Sequence, residues 1–304
     1  IVVDPVGALR VKSLKGQRQF FATGDHKMRS MDYRKFGSTD LAPGIIGLGT
    51  WRTFDVPLDD KAAIDVRRQV VDEAIEAGSN FFDSSPMYGA AEQVLAGTLE
   101  GRRDTTLVAT KVWAQDFARG RDQIDTALRW FGGFVDVYQI HNLVNWRQYL
   151  PLLQDLQSQG NVRSIGITHY QKSAFGEMAR IMETEQIQSV QLPYNALDTE
   201  AEQNLLPLTA ELNLGVIVMS PLGTGDLVRG APPDRELEPL AAYGIETWAQ
   251  ALLKWVVSDG RVTVTIPATS KPERARENAA AGNPPFFGEE QRERVSWLAR
   301  RASR

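Results

Sequence analysis

The sequence predicts an α/β fold in which eight parallel strands alternate with eight helices and close into a (β/α)8 TIM barrel. Short segments rich in β-branched and aromatic residues recur eight times, each followed by a helical pattern. The 304 residues suffice for one such barrel, and no Pro/Ser/Gly-rich linker divides them. A doubly wound nucleotide-binding fold is the alternative. Only Gly47 and Gly49 match the opening of its glycine fingerprint, because position 52 is arginine.

The chain before the barrel has two predicted parts. Residues 1–30 are basic and lack the continuous apolar segment of a secretory signal, so we interpret them as a flexible arm or as an over-long start before Met31. A functional basic arm is the alternative. Residues 31–304 are predicted to form the barrel domain, which begins with a β-hairpin whose strands, 33–36 and 41–43, flank the turn 37–40.

The barrel elements follow in order. The predicted strands cover residues 45–48, 80–83, 105–111, 135–141, 164–168, 189–194, 215–220 and 262–267. The predicted helices cover residues 61–77, 91–100, 121–131, 147–159, 172–185, 200–213, 245–258 and 272–281. A loop over 223–239 follows the seventh strand, and a polar C-terminal helix follows residues 283–288.

Composition excludes several classes of function. A net charge of −4 and a pI near 5.6 give no reason to expect nucleic acid or an anionic membrane as partner, so a small-molecule substrate is favoured. No apolar run reaches the length of about 18 residues that a membrane span needs. With no cysteine, disulfides, thiolate metal sites and cysteine nucleophiles are excluded; we predict no metal site and expect a cytoplasmic protein.

Three polar residues end consecutive predicted strands. Asp83, Lys111 and His141 each follow an apolar segment, and their spacing puts them on the face of the strand that points into the barrel. Active sites of such barrels lie at the carboxyl ends of the strands, so these side chains are expected to converge at the mouth. Tyr88 lies on the loop after the first of them. Singly, Asp83 could cap a helix, Lys111 could extend to solvent and His141 could be a core histidine, but their coincidence indicates a site.

This set of side chains suits the reduction of a carbonyl group. A lysine ammonium beside Tyr88 is expected to lower the pKa of the phenol toward the range of a general acid, while Asp83 keeps Lys111 charged. A neutral His141 could donate a hydrogen bond to the carbonyl oxygen and orient it. The hydride must then come from a cofactor.

The chain resembles the aldo-keto reductase family over nearly its whole length after the arm. The motifs are G-L-G-T-W at 47–51, D-S-S-P-M-Y-G at 83–89, A-T-K-V-W at 109–113, V-D-V-Y-Q-I-H at 135–141, G-I-T-H-Y at 166–170, Q-L-P-Y-N at 191–195, S-P-L-G-T-G at 220–225 and I-P-A-T-S-K-P-E-R-A-R-E-N at 266–278. The resemblance implies a barrel enzyme that reduces aldehydes or ketones with a nicotinamide dinucleotide. It makes Tyr88 the proton donor, Lys111 and Asp83 the residues that tune it, and His141 the residue that orients the carbonyl.

The resemblance also implies binding residues. Those for the cofactor are Thr168, His169, Gln191, Met219, Ser220, Leu222, Gly223, Gly225, Thr269, Ser270, Lys271, Arg274, Glu277 and Asn278. Those for the substrate pocket are Trp51, Phe54, Trp113 and Trp146. Thr168-His169 stands where the family usually has Ser-Asn, Met219 where it often has an aromatic ring, and Ala268 where many relatives have a second phosphate-binding lysine.

NADPH is the expected cofactor, in preference to NADH. Arg274 matches the family arginine that pairs with the adenosine 2′-phosphate, and the predicted helix N-terminus beside it favours a phosphate. A solvated helix face would explain the same charges. Two other functions stay open: an NADPH-binding redox-sensing regulatory subunit with little turnover, and a phosphate-binding barrel isomerase that uses Lys111 and His141.

Overall fold

The structure, a computed structural model, describes residues 30–302. Apart from Ser30, the predicted N-terminal arm therefore lies outside the described residues. Eight parallel strands pair in chain order. They are β1 (Leu48–Gly49), β2 (Phe81–Asp83), β3 (Leu107–Val112), β4 (Val135–His141), β5 (Val162–Thr168), β6 (Ser189–Pro193), β7 (Gly215–Met219) and β8 (Val264–Thr265).

Contacts between the first and last strands close the sheet. Gly47 N–H donates to the Thr265 carbonyl at 2.8 Å, and parallel bridges join Ile46 to Thr265 and Gly49 to Ala268. A Cβ on Gly47 would lie 2.6 Å from the Phe81 carbonyl oxygen, so only glycine lets the neighbouring strand approach this closely. The predicted (β/α)8 barrel is confirmed.

Helices surround the barrel. They are α1 (Lys61–Glu76), α2 (Ala91–Thr98), α3 (Phe117–Trp130), α4 (Trp146–Ser158), α5 (Phe175–Met182), α6 (Leu205–Glu211), α7 (Asp226–Arg229), α8 (Trp248–Val257), α9 (Pro272–Ala280) and α10 (Glu289–Ala302). The main apolar core lies between these helices and the outward faces of the strands. None of the helices in the described part of the chain is long and apolar enough to cross a membrane.

The predicted N-terminal hairpin closes the lower end of the barrel, which is the end at which the strands begin. It is shorter than expected, with one antiparallel bridge from Tyr33 to Gly44 and backbone hydrogen bonds from Arg34 to Pro43 and from Phe36 to Leu41. The side chains of Phe36 and Leu41 are buried inside the barrel. Together with inward-facing strand residues they form a second core, made of Phe36, Leu41, Phe81, Ala109, Val137, Ile217, Val264 and Ile266. Asp83 and His141, which end their strands, lie beyond this core on the side of the strand ends.

The stretch after β7 differs from the prediction. Residues 223–239, expected as a loop, contain the short helix α7 and three short 3₁₀ segments, Gly223–Gly225, Asp234–Glu236 and the start of Glu238–Tyr243. Leu227 and Leu237 anchor the stretch in the main core. The predicted helix at 245–258 starts later, at Trp248, because Thr247 and Gln250 form a capping box that begins α8 there.

Candidate active site

A buried ion pair lies at the centre of the barrel mouth. Asp83 ends β2 and Lys111 lies near the end of β3, and the Lys111 ammonium nitrogen lies 2.7 and 2.8 Å from the two Asp83 oxygens. The ammonium also donates to the Ser84 carbonyl at 2.7 Å. Lys111 is fully buried, so its charge has no water to solvate it and depends on these three acceptors.

Burial acts on both members of the pair. It raises the pKa of Asp83 and lowers that of Lys111, and in each case the charge of the partner opposes the shift. Amide groups of Gln139 and Gln191 also donate to Asp83, which favours the carboxylate; the Gln139 Nε2 to Asp83 Oδ1 distance is 3.3 Å. Gln139 is the residue beside Lys111 in the register of β3 and β4. Gln139 lies two residues before His141 and therefore shares its strand face, but the sequence reasoning assigned Gln139 no role.

Tyr88 lies above this pair. The Lys111 nitrogen is 5.4 Å from the centroid of the phenol ring, with all three of its hydrogen bonds directed to Asp83 and Ser84. Burial, and then the negative charge of Asp83, raise the pKa of Tyr88. The predicted lowering of this pKa is therefore wrong, because the phenol is buried and the Lys111 ammonium, which was expected to stabilise the phenolate, bonds to Asp83 and Ser84 instead. The phenol is protonated at neutral pH, as a proton donor must be, but the raised pKa makes it a weaker acid than an exposed tyrosine.

His141 is the third group at the mouth. It ends β4, is 7% exposed, and its ring meets that of Tyr88 edge-on with the centroids 5.9 Å apart. Burial and the nearby charge of Lys111 lower the pKa of His141 to about 2, so the imidazole is neutral. Its Nδ1 lies 2.9 Å from the hydroxyl oxygen of Ser85. The structure thus brings Asp83, Tyr88, Lys111 and His141 together.

A second buried carboxyl lies behind the site and was missed by the sequence reasoning. Glu92, on α2, is 3% exposed and accepts a hydrogen bond from the Thr110 hydroxyl. Burial raises the pKa of Glu92 to about 7. Thr110 is the neighbour of Lys111 on the outward face of β3, so the pair Glu92–Thr110 backs the strand that carries the lysine. A single glutamate in a helical pattern gives no signal of this in the sequence.

Two of the predicted nicotinamide contacts offer unused acceptors. Thr168 Oγ1 and Gln191 Oε1 are buried and have no hydrogen-bond partner in the described part of the chain. The register of β5 pairs Thr168 with both His141 and Gln191, so Thr168 lies between these two residues at the strand ends. Buried polar atoms without partners are rare, and two hydroxyl or amide oxygens side by side suit the NH₂ group of a carboxamide. The residues present therefore fit a nicotinamide.

His169 and Met219 differ from the usual family residues. His169 is half-buried, its ring stacks on Tyr170, and its Nδ1 accepts the backbone N–H of Gln171 at 3.0 Å. Met219 is half-buried at the end of β7 and packs against the core inside the barrel. Both residues follow the carboxyl ends of their strands, β5 and β7.

The loop after β7 has a backbone shaped for close approach. Ser220, Gly223, Thr224 and Gly225 all have positive φ, at 53°, 57°, 56° and 98°. Asn195, at the end of the sequence motif after β6, donates to the Ser220 carbonyl at 3.2 Å and holds the turn. Leu222 is half-buried beside it. Within the turn, however, the N–H groups of Gly223 and Gly225 donate to the carbonyls of Ser220 and Leu222, each at 3.0 Å, so the predicted use of these two glycines as pyrophosphate donors is not supported. The positive φ angles leave the main chain open to close approach by a ligand.

The start of α9 carries two exposed cations, Lys271 and Arg274, that form no ion pair in the part of the chain that the structure describes. The helix begins at Pro272 after Lys271, with no side-chain cap, and the Thr269 hydroxyl accepts the Lys271 backbone N–H at 3.1 Å. Ser270 lies between them. Arg274 is exposed and forms no ion pair within residues 30–302, whereas its neighbour Arg276 pairs with Glu73 and Glu76.

The last two predicted adenine contacts are partly occupied by the fold. Glu277 accepts the Thr247 hydroxyl at 2.6 Å, and Asn278 is 6% exposed. Both nevertheless lie on α9 next to Arg274. Glu277 ties this helix to the N-terminus of α8 through Thr247 and Gln250.

The four aromatic residues predicted to line the substrate pocket differ in how far they are buried. Trp51 and Trp113 are exposed after β1 and β3, at 42% and 38%. Trp146 packs partly against the main core and donates from its indole to Glu177 at 3.3 Å. Phe54 is fully buried in that core, so its ring has no surface to offer a substrate, and the structure does not support its predicted role. The sequence showed only an aromatic near the mouth, not which way it turned.

No metal centre accompanies the site. Within residues 30–302, no group of three or more histidine, aspartate or glutamate side chains could hold a metal ion.

Comparison with known proteins decides the family. The model of the aldo/keto reductase family matches residues 45–296, most of the chain. The protein belongs to the aldo/keto reductase family. It is therefore an oxidoreductase by family, as the resemblance in its motifs implied.

Three relatives of this aldo/keto reductase illustrate the match. The aldo-keto reductase YhdN of Bacillus subtilis is 25% identical over 66% of this chain and 63% of its own. An NADH-specific methylglyoxal reductase of Escherichia coli is 25% identical over 81% of this chain and 92% of its own. The crystal structure of an aldo-keto reductase from Klebsiella pneumoniae in complex with NADPH shares the fold, with a TM-score of 0.73 at 24% identity over 90% of this chain and 95% of that one.

Proposed function

We propose that this protein is an NADPH-dependent reductase that converts a small aldehyde or ketone to an alcohol. The observation that carries the proposal is geometric: the Tyr88 ring meets the His141 ring edge-on, with centroids 5.9 Å apart, and both lie at the mouth over a buried Asp83–Lys111 pair. A protonated acid and a neutral hydrogen-bond donor at one point are what a carbonyl oxygen needs as it becomes an alkoxide.

Each group has one task in this proposal. His141 donates a hydrogen bond to the carbonyl oxygen and orients it toward Tyr88. Tyr88 gives its phenolic proton to that oxygen as negative charge develops there, and it recovers a proton from solvent afterwards. NADPH, when bound, supplies the hydride for the carbonyl carbon. Lys111 and Asp83 form a fixed pair of opposite charges at the bottom of the site.

The residues that would hold the cofactor follow the chain around the mouth. Thr168 and Gln191 offer their unpartnered oxygens to the carboxamide, and the turn from Ser220 to Gly225, whose positive φ angles allow close approach of the main chain, would lie along the pyrophosphate. Arg274 offers its unpaired guanidinium to the 2′-phosphate, which supports NADPH over NADH. Trp51 and Trp113 offer exposed rings to the substrate.

The proposal is tested by following NADPH absorbance with purified protein and a panel of aldehydes and ketones, in parallel with a fluorescence titration of NADPH and NADH. Oxidation of NADPH that depends on a carbonyl compound supports the reductase. Binding of NADPH without turnover on any compound would favour the redox-sensing regulatory function instead. Absence of binding would contradict both and favour the isomerase.

A further inference from the structure

The hydroxyl of Ser85 is the only protein group that contacts the imidazole nitrogen Nδ1 of His141 within the described residues. Ser85 is fully buried in the loop after β2, and its Oγ lies 2.9 Å from Nδ1. The same Oγ accepts the backbone N–H of Met87 at 3.3 Å, and the Ser85 carbonyl accepts that of Tyr88 at 3.0 Å. One residue thus contacts both His141 and the loop segment that carries Tyr88.

Counting protons fixes the direction of the contact. A serine hydroxyl has one proton to donate, and a neutral imidazole has one N–H and one bare nitrogen. If Nδ1 donated to Ser85, the buried serine proton would have no acceptor, because no other acceptor within residues 30–302 hydrogen-bonds with Oγ. If Ser85 donates to Nδ1, both groups are satisfied, and an unsatisfied buried donor is avoided.

The direction decides what His141 presents to a substrate. With Nδ1 as acceptor, the ring proton lies on Nε2, which hydrogen-bonds with no residue in the described part of the chain. An Nε2–H group attracts a carbonyl oxygen. In the other tautomer, Nε2 would present a lone pair to that oxygen and repel it.

We infer that Ser85 is a positioning residue that holds His141 in the Nε2–H tautomer and in the orientation that binds the carbonyl oxygen. This inference rests on the proposed reductase function for its kinetic consequence but not for the tautomer itself. The second serine of the D-S-S motif, Ser85, is then functional through its hydroxyl, whereas the hydroxyl of the first, Ser84, contacts Thr50 at 2.9 Å.

The tautomer can be read directly by NMR. The sequence has only three histidines, His26, His141 and His169, so ¹⁵N-labelled protein gives three ring spin systems, which His26→Gln and His169→Gln variants assign by elimination. We expect unsubstituted protein to show His141 with a pyridine-like Nδ1 and a pyrrole-like Nε2. Finding the proton on Nδ1 would overturn the inference, whatever the activity of the protein.

Three variants separate positioning from simple packing. Ser85→Ala should give a mixture of His141 tautomers, while Ser85→Thr, which keeps the hydroxyl, should keep the Nε2–H form. Ser84→Ala is the matched control: it removes a neighbouring buried hydroxyl and should leave the His141 tautomer unchanged. An unchanged tautomer in Ser85→Ala, checked as folded by circular dichroism, would contradict the inference.

Kinetics complete the test. We expect Ser85→Ala to lower kcat/KM for carbonyl reduction about 10-fold, the change expected for loss of one hydrogen bond, with NADPH affinity unchanged and with recovery in Ser85→Thr. A shifted tautomer with unaltered kcat/KM would overturn the positioning role. Absence of any carbonyl reduction by unsubstituted protein would contradict the proposed function and leave the tautomer result to decide the role of Ser85 on its own.

Discussion

At the scale of single residues, burying the Asp83–Lys111 pair costs free energy of folding, and removing only one of the two charges would cost more. Both side chains are almost fully removed from water, so each charge is stabilised by the other and by the hydrogen bonds from the strand ends. Replacing a buried pair by apolar groups is often neutral for stability, whereas removing one partner leaves the other charge buried and unpaired. The pair therefore contributes more to the arrangement of the site than to net folding energy.

This difference can be measured with a double-mutant cycle. Asp83→Asn should lower the free energy of unfolding by about 3–5 kcal/mol, because it leaves the Lys111 ammonium buried without a counter-charge. Lys111→Met in the same chain should recover most of that loss. Urea unfolding of the two single variants and the double variant gives the coupling. A double variant no more stable than Asp83→Asn would contradict this account of the pair.

Arg274 carries the second prediction at this scale. Arg274→Ala should weaken NADPH binding by about 1.5–3 kcal/mol, the range for hydrogen bonds to charged groups, and should leave NADH binding nearly unchanged. Arg276→Ala is the matched control, since Arg276 is on the same helix but already pairs with Glu73 and Glu76. Fluorescence titration at fixed ionic strength measures both. Equal weakening of NADPH and NADH by Arg274→Ala would show that Arg274 does not bind the 2′-phosphate.

At the scale of elements, the N-terminal hairpin is a plug for the barrel. Phe36 is fully buried, its ring centroid lies 6.0 Å from that of Phe81, and it fills the space over Gly215, where a Cβ would come within 2.7 Å of the ring. The interior of a closed barrel must be filled with side chains, and the hairpin supplies two of them at the lower end, Phe36 and Leu41.

The plug should matter for stability. Phe36→Ala should lower the free energy of unfolding by about 3–5 kcal/mol, the range for removing a buried aromatic side chain. Lys35→Ala, at the exposed neighbouring position of the same hairpin, should change it by no more than about 0.5 kcal/mol. Denaturant unfolding compares the two. A Phe36→Ala variant as stable as Lys35→Ala would show that the hairpin does not support the barrel.

At the scale of the whole molecule, two buried groups, His141 and Glu92, change the free energy of unfolding in opposite directions as the pH changes. The pKa of His141 is about 2 in the folded state, below its ordinary value, so the unfolded chain binds that proton first and stability is lost as pH falls below about 6.5. The pKa of Glu92 is about 7, above its ordinary value, so the folded state binds that proton first and this contribution is lost as pH rises through 7. Between about pH 4.5 and 6.5 the two oppose each other.

Removing the contribution of Glu92 should leave the pH dependence that comes from His141 unopposed. In Glu92→Gln, the free energy of unfolding should fall with acidification over this range by up to about 1.4 kcal/mol per pH unit more than in the unsubstituted protein. Glu100→Gln, at an exposed position just beyond the same helix, is the control and should leave the slope unchanged. Identical slopes for Glu92→Gln and Glu100→Gln would show that Glu92 does not titrate in this window.

The sequence predicted the barrel because each strand and helix carries its own local pattern, and it predicted that Asp83, Lys111 and His141 would meet because parallel strands end at one edge. It could not predict which way Phe54 turns, since burial of one ring depends on packing across several elements. The direction of the Tyr88 pKa shift was also out of reach, because it depends first on how deeply the phenol is buried and then on how close the Asp83 charge lies. Ser85 and Glu92 act through contacts with residues that lie far along the chain, and no spacing rule reveals those.

The central claim is that Tyr88 gives the proton, and the Tyr88→Phe variant tests it most directly. The ring is kept and only the hydroxyl is lost, so NADPH affinity, measured by fluorescence, should be nearly unchanged. The rate of carbonyl-dependent NADPH oxidation should fall by about two to four powers of ten, the usual contribution of general acid catalysis. A purified, folded Tyr88→Phe protein that reduces carbonyl compounds at the rate of the unsubstituted protein would contradict the account.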